Sequence, residues 1–178
     1  MRKIALIIIV FLFACLLVDC KKKKTTEEEK LEISFDKSGM LSNYSDNVIA
    51  PNFQLAKQAL DSFALAYNDF IQNKTVSNLV VARQKFNRAY HQYQLISIFE
   101  IGPCENEIMR ASFDTYPTDT VQILSNINTG SYNLALASNI DAKGLPALDY
   151  LLYGKNISDA SVVTLFDTDV NAANRIAY

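Results

Sequence analysis

The sequence predicts an all-α protein: an up-and-down helical bundle built on two long antiparallel helices, with several shorter helices packed at one end. Two apolar series and the loop between them carry this. Ile49, Phe53, Ala56, Leu60, Phe63, Tyr67 and Phe70 recur alternately four and three residues apart, the repeat that puts side chains on one face of a helix. Leu79, Ala82, Phe86, Ala89, Tyr93 and Ile96 follow the same rule. Gln72-Asn73-Lys74 between them is a short polar turn, so the two helices read as a hairpin.

The chain opens with an address rather than a fold. Arg2 and Lys3 precede an unbroken apolar run from Ile4 to Val18, too short to span a bilayer and right for the core of a signal peptide. Leu17-Val18-Asp19-Cys20 resembles a bacterial lipobox, which makes residues 1–20 a lipoprotein signal and Cys20 the lipidation site. Leu12-Phe13-Ala14-Cys15 is the alternative, with a small residue before its cysteine but more apolar chain left on the mature end. Residues 21–40 begin with Lys21 to Lys24 and continue charged and polar, which predicts a disordered tether. The helical domain is expected over residues 41–178.

Ser42 or Asn43 can cap the first long helix, and Pro51, one turn from its start, lacks the backbone donor and should bend or restart it. Thr75 or Ser77 can cap the second, and Gly102-Pro103 stops it. Glu105 to Phe113 is a short helix. After the turn Asp114 to Asp119, Thr118 or Asp119 caps a helix from Thr120 to Ile127, which Asn128-Thr129-Gly130 ends. Tyr132 to Asn139 is a short apolar piece. From Gly144 to Gly154, Leu145, Leu148, Leu151 and Leu152 fall at helical spacing and predict a buried face. Asn156 to Ala160 is loop and Val162 to Phe166 helical. Thr168 or Asp169 caps a last helix through Tyr178, where Val170, Ala173 and Ala177 begin an apolar face that calls for more chain.

Seventeen basic against nineteen acidic side chains give a net charge of −2, which argues against a nucleic-acid partner. Cys104 is the one cysteine beyond the leader, so there is neither a disulfide framework nor a cysteine metal site. His91 is the only histidine, which excludes a His-Glu-x-x-His zinc helix, and no glycine-rich phosphate loop is present. Asp149 stands beside the leucine face. If buried it needs a cation, a hydrogen-bond donor or a metal; if it lies on the polar side it faces water.

The run Gly144-Leu145-Pro146-Ala147-Leu148-Asp149-Tyr150-Leu151-Leu152 resembles the signature of the imelysin-like family of bacterial envelope proteins. That signature is Gly-x-His-x-x-Glu. Here Gly144 holds the glycine position, Pro146 the histidine position and Asp149 the glutamate position. Ile49-Ala50-Pro51, Ala82-Arg83 with Phe86 and Tyr90, Phe99-Glu100-Ile101-Gly102-Pro103, and Arg110 followed by Tyr116-Pro117-x-Asp119 are similar to the family's other stretches. The resemblance implies a longer chain, of which this is the N-terminal half. It also implies a lipid-anchored protein of a Gram-negative envelope, facing the periplasm or outer membrane. Iron or haem acquisition, with a possible partner in the outer membrane, follows from it too.

The family is classed with metallopeptidases, but Pro146 offers no ligand where the imidazole stands, so binding is expected rather than catalysis. The expected binding set is three acids and one cation, Asp149, Glu100, Asp119 and Arg110; the hard oxygens of the acids suit iron(III) or calcium better than zinc. A metal-dependent peptidase and a plain helical interaction module are the alternatives. Gly144 and Pro146 also have a structural explanation, a chain reversal followed by a proline in the first helical turn.

Overall fold

The computed structural model describes residues 34–178; the signal segment with Cys15 and Cys20, and residues 21–33 of the tether, lie outside them. The helical trace starts at Lys37, earlier than a cap at Ser42 or Asn43 would have it. Helix α1, Lys37–Tyr44, passes through a widened turn at Ser45–Ile49 into α2, Ala50–Gln72. The widened turn is where Pro51 has its effect. Pro51 has no N–H to give, and the Ala50 N–H bonds back to the Ser45 carbonyl, five residues earlier. The Asn52 side chain then donates to the Val48 carbonyl at 2.7 Å, satisfying an acceptor the loosened turn exposes.

Helix α3, Val76–Ile96, runs back along α2 after a turn capped by Thr75, whose hydroxyl accepts the Asn78 N–H. Its buried residues are Leu79, Ala82, Phe86, Ala89, Tyr93 and Ile96, the seam read from the sequence residue for residue. On α2 the buried set is Ala56, Ala59, Phe63, Ala66 and Phe70, while Ile49, Phe53, Leu60 and Tyr67 are half-buried against it. The alanines let the backbones approach, and Phe63 meets Phe86 edge to face with centroids 5.4 Å apart.

The chain then makes short elements. Residues 105–113 are not one helix: α4, Pro103–Asn106, and α5, Met109–Phe113, are separated at Ile108, which sits in the left-handed region at φ 44°. Helix α6, Thr120–Thr129, is capped by Asp119, whose carboxylate accepts the Val121 and Gln122 N–H groups at 2.9 Å each. Of Tyr132 to Asn139 only Ala137–Asn139 is regular, a single 3₁₀ turn. It is held by side chains: Asn126 donates to Asn139 at 2.8 Å, and Asn139 to the Asn133 carbonyl at 2.9 Å.

Helix α7, Gly144–Tyr153, buries Leu145, Pro146, Ala147, Leu151 and Leu152, with Leu148 half-buried. Helix α8, Asp159–Asp167, is helical as expected and capped by Ser158. It lays Phe166 against Phe70, 5.2 Å between centroids. The final helix, α9, Ala172–Ala177, starts later than a cap at Thr168 or Asp169 would place it, because the Asp169 carboxylate accepts the Asn171 N–H in the preceding turn. Arg175 on α9 is buried with its guanidinium 5.9 Å above the Phe166 ring.

Residues 37–178 thus form one unit of two long helices with the short ones packed on them, and no strand occurs among the described residues. No helix among them is long and apolar enough to cross a membrane. Arg83 ties the layers together. Its Nε donates to the Leu152 carbonyl at 2.9 Å, its Nη1 to Asp159 at 2.7 Å, and its guanidinium carbon lies 4.6 Å from the Tyr153 ring centre.

Candidate functional site

Helix α7 is set in place by a close backbone contact. Gly144 has φ +79°, and a Cβ there would stand 2.5 Å from the Phe113 carbonyl oxygen at the end of α5. Only glycine lets the two segments touch. Three residues after the buried Pro146, Asp149 leaves the apolar face and is exposed. It opens into a cleft of about 420 Å³. Helix α7 contributes Pro146, Asp149 and Tyr150; the loop before α6 adds Tyr116 and Thr118; α3 adds Tyr90; and Lys155, just after α7, lines it too.

The cleft holds one carboxylate, Asp149, and one amine, Lys155, and the two form no ion pair. Asp149 takes part in none of the ion pairs or side-chain hydrogen bonds among the described residues; the three ion pairs are Lys57–Asp61, Arg83–Asp159 and Arg110–Glu100. Burial of its protein-facing side holds its pKa above the usual carboxylate value. Tyr90 is fixed by a bond elsewhere: its hydroxyl donates to Asp114 at 2.5 Å, and Gln94 donates to the other oxygen of that carboxylate at 2.9 Å. Burial first, then this bond and the charges of Asp114 and Asp149, hold the Tyr90 phenol protonated well beyond the ordinary range. The Thr118 hydroxyl is buried at the wall with no hydrogen-bond partner.

The four residues expected to form one binding set do not come together. Glu100 and Arg110 pair with each other, Arg110 Nη2 lying 3.2 Å from Glu100 Oε2 and the Arg110 N–H donating to Oε1 at 3.1 Å. Asp119 adjoins the cleft in sequence, but its carboxylate is engaged as the α6 cap. Asp149 alone faces the cleft. Pro146, in the signature's histidine position, is a core residue of α7. His91 is on the exposed side of α3, and Cys104 is a half-buried free thiol. Among the described residues no group of three or more His, Cys, Asp or Glu side chains is placed to hold a metal ion.

Sequence reasoning missed Tyr116, Thr118 and Tyr150 as cleft residues. Periodicity could not find them, because they come from a loop and from the polar side of a helix. The usable signals were local: Tyr150 directly follows Asp149, and Tyr116-Pro117 introduces the α6 cap.

The family model described as Imelysin (Peptidase_M75) matches residues 49–177, from the last residue of the widened turn before α2 to the end of α9. No curated protein and no solved structure matches the chain. The match takes in both long helices and every residue of the cleft. The chain belongs to the imelysin family.

Proposed function

We propose that the chain is a lipid-anchored binding protein of a bacterial envelope that captures an iron-bearing or haem-related ligand in the Asp149 cleft and does no chemistry on it. One observation carries this: an acid that forms no ion pair among the described residues opens onto a cleft able to admit a small molecule. The donor set decides the form of the ligand. One carboxylate in a cleft lined by tyrosines does not cage a bare ion, which takes six or more oxygens or a fixed set of nitrogen and sulfur ligands. It does suit iron that arrives with most of its coordination already filled, as in an organic complex or haem. Such a ligand needs one hard oxygen and aromatic walls from the protein.

Peptide hydrolysis by a metal asks for ligands that fix the ion and a base that activates water. Pro146 supplies neither, and His91 lies on another helix with its side chain exposed. The binding reading is therefore preferred despite the family's peptidase description.

Calorimetric titration of the purified chain with iron(III) nitrilotriacetate and with haem, wild type against Asp149→Ala, tests it. Binding by the wild type that the variant loses is the expected result. No affinity for either compound overturns the proposal, and turnover of casein by the purified protein restores the hydrolase. Mass spectrometry of the mature N-terminus tests the anchor: a lipid-modified Cys20 is expected, and an acylated Cys15 or an unmodified end contradicts it. A co-purifying outer-membrane protein in the absence of any ligand would favour the interaction module instead.

A further inference from the structure

The Asp149 cleft has a chemistry that iron capture does not use. Three tyrosines from three separate segments, Tyr90, Tyr116 and Tyr150, line it together with a single acid that forms no ion pair among the described residues. We propose that this cleft is a site for an organic cation, an alkylammonium group seated against Asp149 and flanked by the tyrosines. The inference rests on the reading of this cleft as the binding site, and it adds the charge that the ligand carries.

The argument begins with Asp149. A carboxylate drawn partly out of water is stabilised most by a positive charge. Among the described residues none pairs with it: Lys155 lines the same cleft but forms no ion pair with Asp149. Tyrosine rings attract cations through the negative potential of their faces, and a carboxylate set among aromatic rings is the usual recognition device for substituted ammonium groups.

Tyr90 fits this role because its hydroxyl is already committed. Its bond to Asp114, backed by Gln94, keeps the phenol from donating to Asp149 and satisfying the acid from within. Tyr116 is 85% exposed, so its ring stands mostly in water and is free to cover a ligand. The buried, unpartnered Thr118 hydroxyl on the same wall offers one hydrogen bond more. The ligand class is therefore one that carries an ammonium ion with apolar substituents and one polar oxygen close to it.

Choline and its uncharged carbon analogue, 3,3-dimethylbutan-1-ol, differ at the one atom that matters and are the probes to use, by NMR titration of the full chain. Choline is expected to bind and the analogue to bind at least about tenfold more weakly, the factor that a modest cation–aromatic contact provides. Asp149→Asn and Tyr116→Ala should each weaken choline by a similar factor, while Tyr116→Phe, which keeps the ring and drops the oxygen, should retain it. Unchanged melting of the Tyr116 variants shows that their folds are intact. Equal binding of the analogue, an unaffected Asp149→Asn, or a Tyr116→Phe as defective as Tyr116→Ala overturns the proposal. If choline fails while an iron(III) complex binds in an Asp149-dependent way, the cation site falls and the cleft's role stands. If both fail, both fall.

Discussion

Replacing Gly144 with alanine should push α5 and α7 apart. The added Cβ would lie 2.5 Å from the Phe113 carbonyl oxygen, 2.8 Å from the Phe113 carbonyl carbon and 2.8 Å from the Ser112 carbonyl oxygen. All three are backbone atoms, so no side chain can swing aside. Two costs add. Holding an L-residue in the left-handed region, here at φ +79°, costs about 1–2 kcal/mol. Relieving the backbone clash by shifting packed segments costs about 1–3 kcal/mol more. For a domain of this size the total corresponds to a fall in melting temperature of roughly 6–15 °C. Gly102 provides the control. It also has positive φ, at +57°, but a Cβ there would meet nothing within 4 Å, so Gly102→Ala should incur only the conformational part. Thermal unfolding followed by circular dichroism separates the two. A Gly144→Ala protein that melts within about 2 °C of wild type, or no lower than Gly102→Ala, refutes the close-contact explanation of this glycine.

Arg83→Met removes two hydrogen bonds and an aromatic contact that join α3 to α7 and α8, and should lower stability to urea by about 2–3 kcal/mol. Arg83→Lys, with one donor centre, should recover less than half of it; full recovery would show that charge alone matters. Arg175 has no ion-pair partner among the described residues, and burial lowers its pKa, so Arg175→Met should leave stability within about 1 kcal/mol or raise it. A loss above about 3 kcal/mol would reveal an anionic partner.

Asp149→Asn carries a sign that can be checked against pH. The folded pKa of Asp149 is raised by burial, so its favourable contribution exists below the unfolded pKa and disappears as pH rises through the folded value. The Asp149→Asn protein should therefore match or exceed wild-type stability at pH 7. The difference should shrink as the solution is acidified through the raised value and be gone below the unfolded one. A variant less stable at pH 7 would contradict this.

The bundle was legible because large side chains at helical spacing have few other uses. The α3 seam from Leu79 to Ile96 emerged complete. On α2 the pattern passed over Ala59 and Ala66, since an alanine buried by close helix contact looks the same in sequence as one left in water. Boundaries failed where side chains compete for backbone groups: Asp169 takes the Asn171 N–H and delays α9, and the loosened turn at Ser45–Ile49 lets the helix continue upstream of Pro51 to Lys37. In the site, Asp119 was legible both as a cap and as an acid, and hydrogen bonding selects the cap. Glu100 and Arg110 were both singled out and do meet, but they satisfy each other. The cleft itself could not be read from spacing, because Tyr90, Tyr116 and Tyr150 are brought together only when α3, the α6 loop and α7 pack.

The state of the Asp149 carboxyl in the free protein is the most direct thing to measure, by carbon-detected NMR across an acid titration with Asp149→Asn to assign the resonance. A midpoint above the usual aspartate value, falling when ligand is added, is expected of an acid held partly out of water and waiting for a positive partner. A midpoint at or below that value, unmoved by ligand, would mean that the group is already solvated or paired, and that the cleft holds nothing by it.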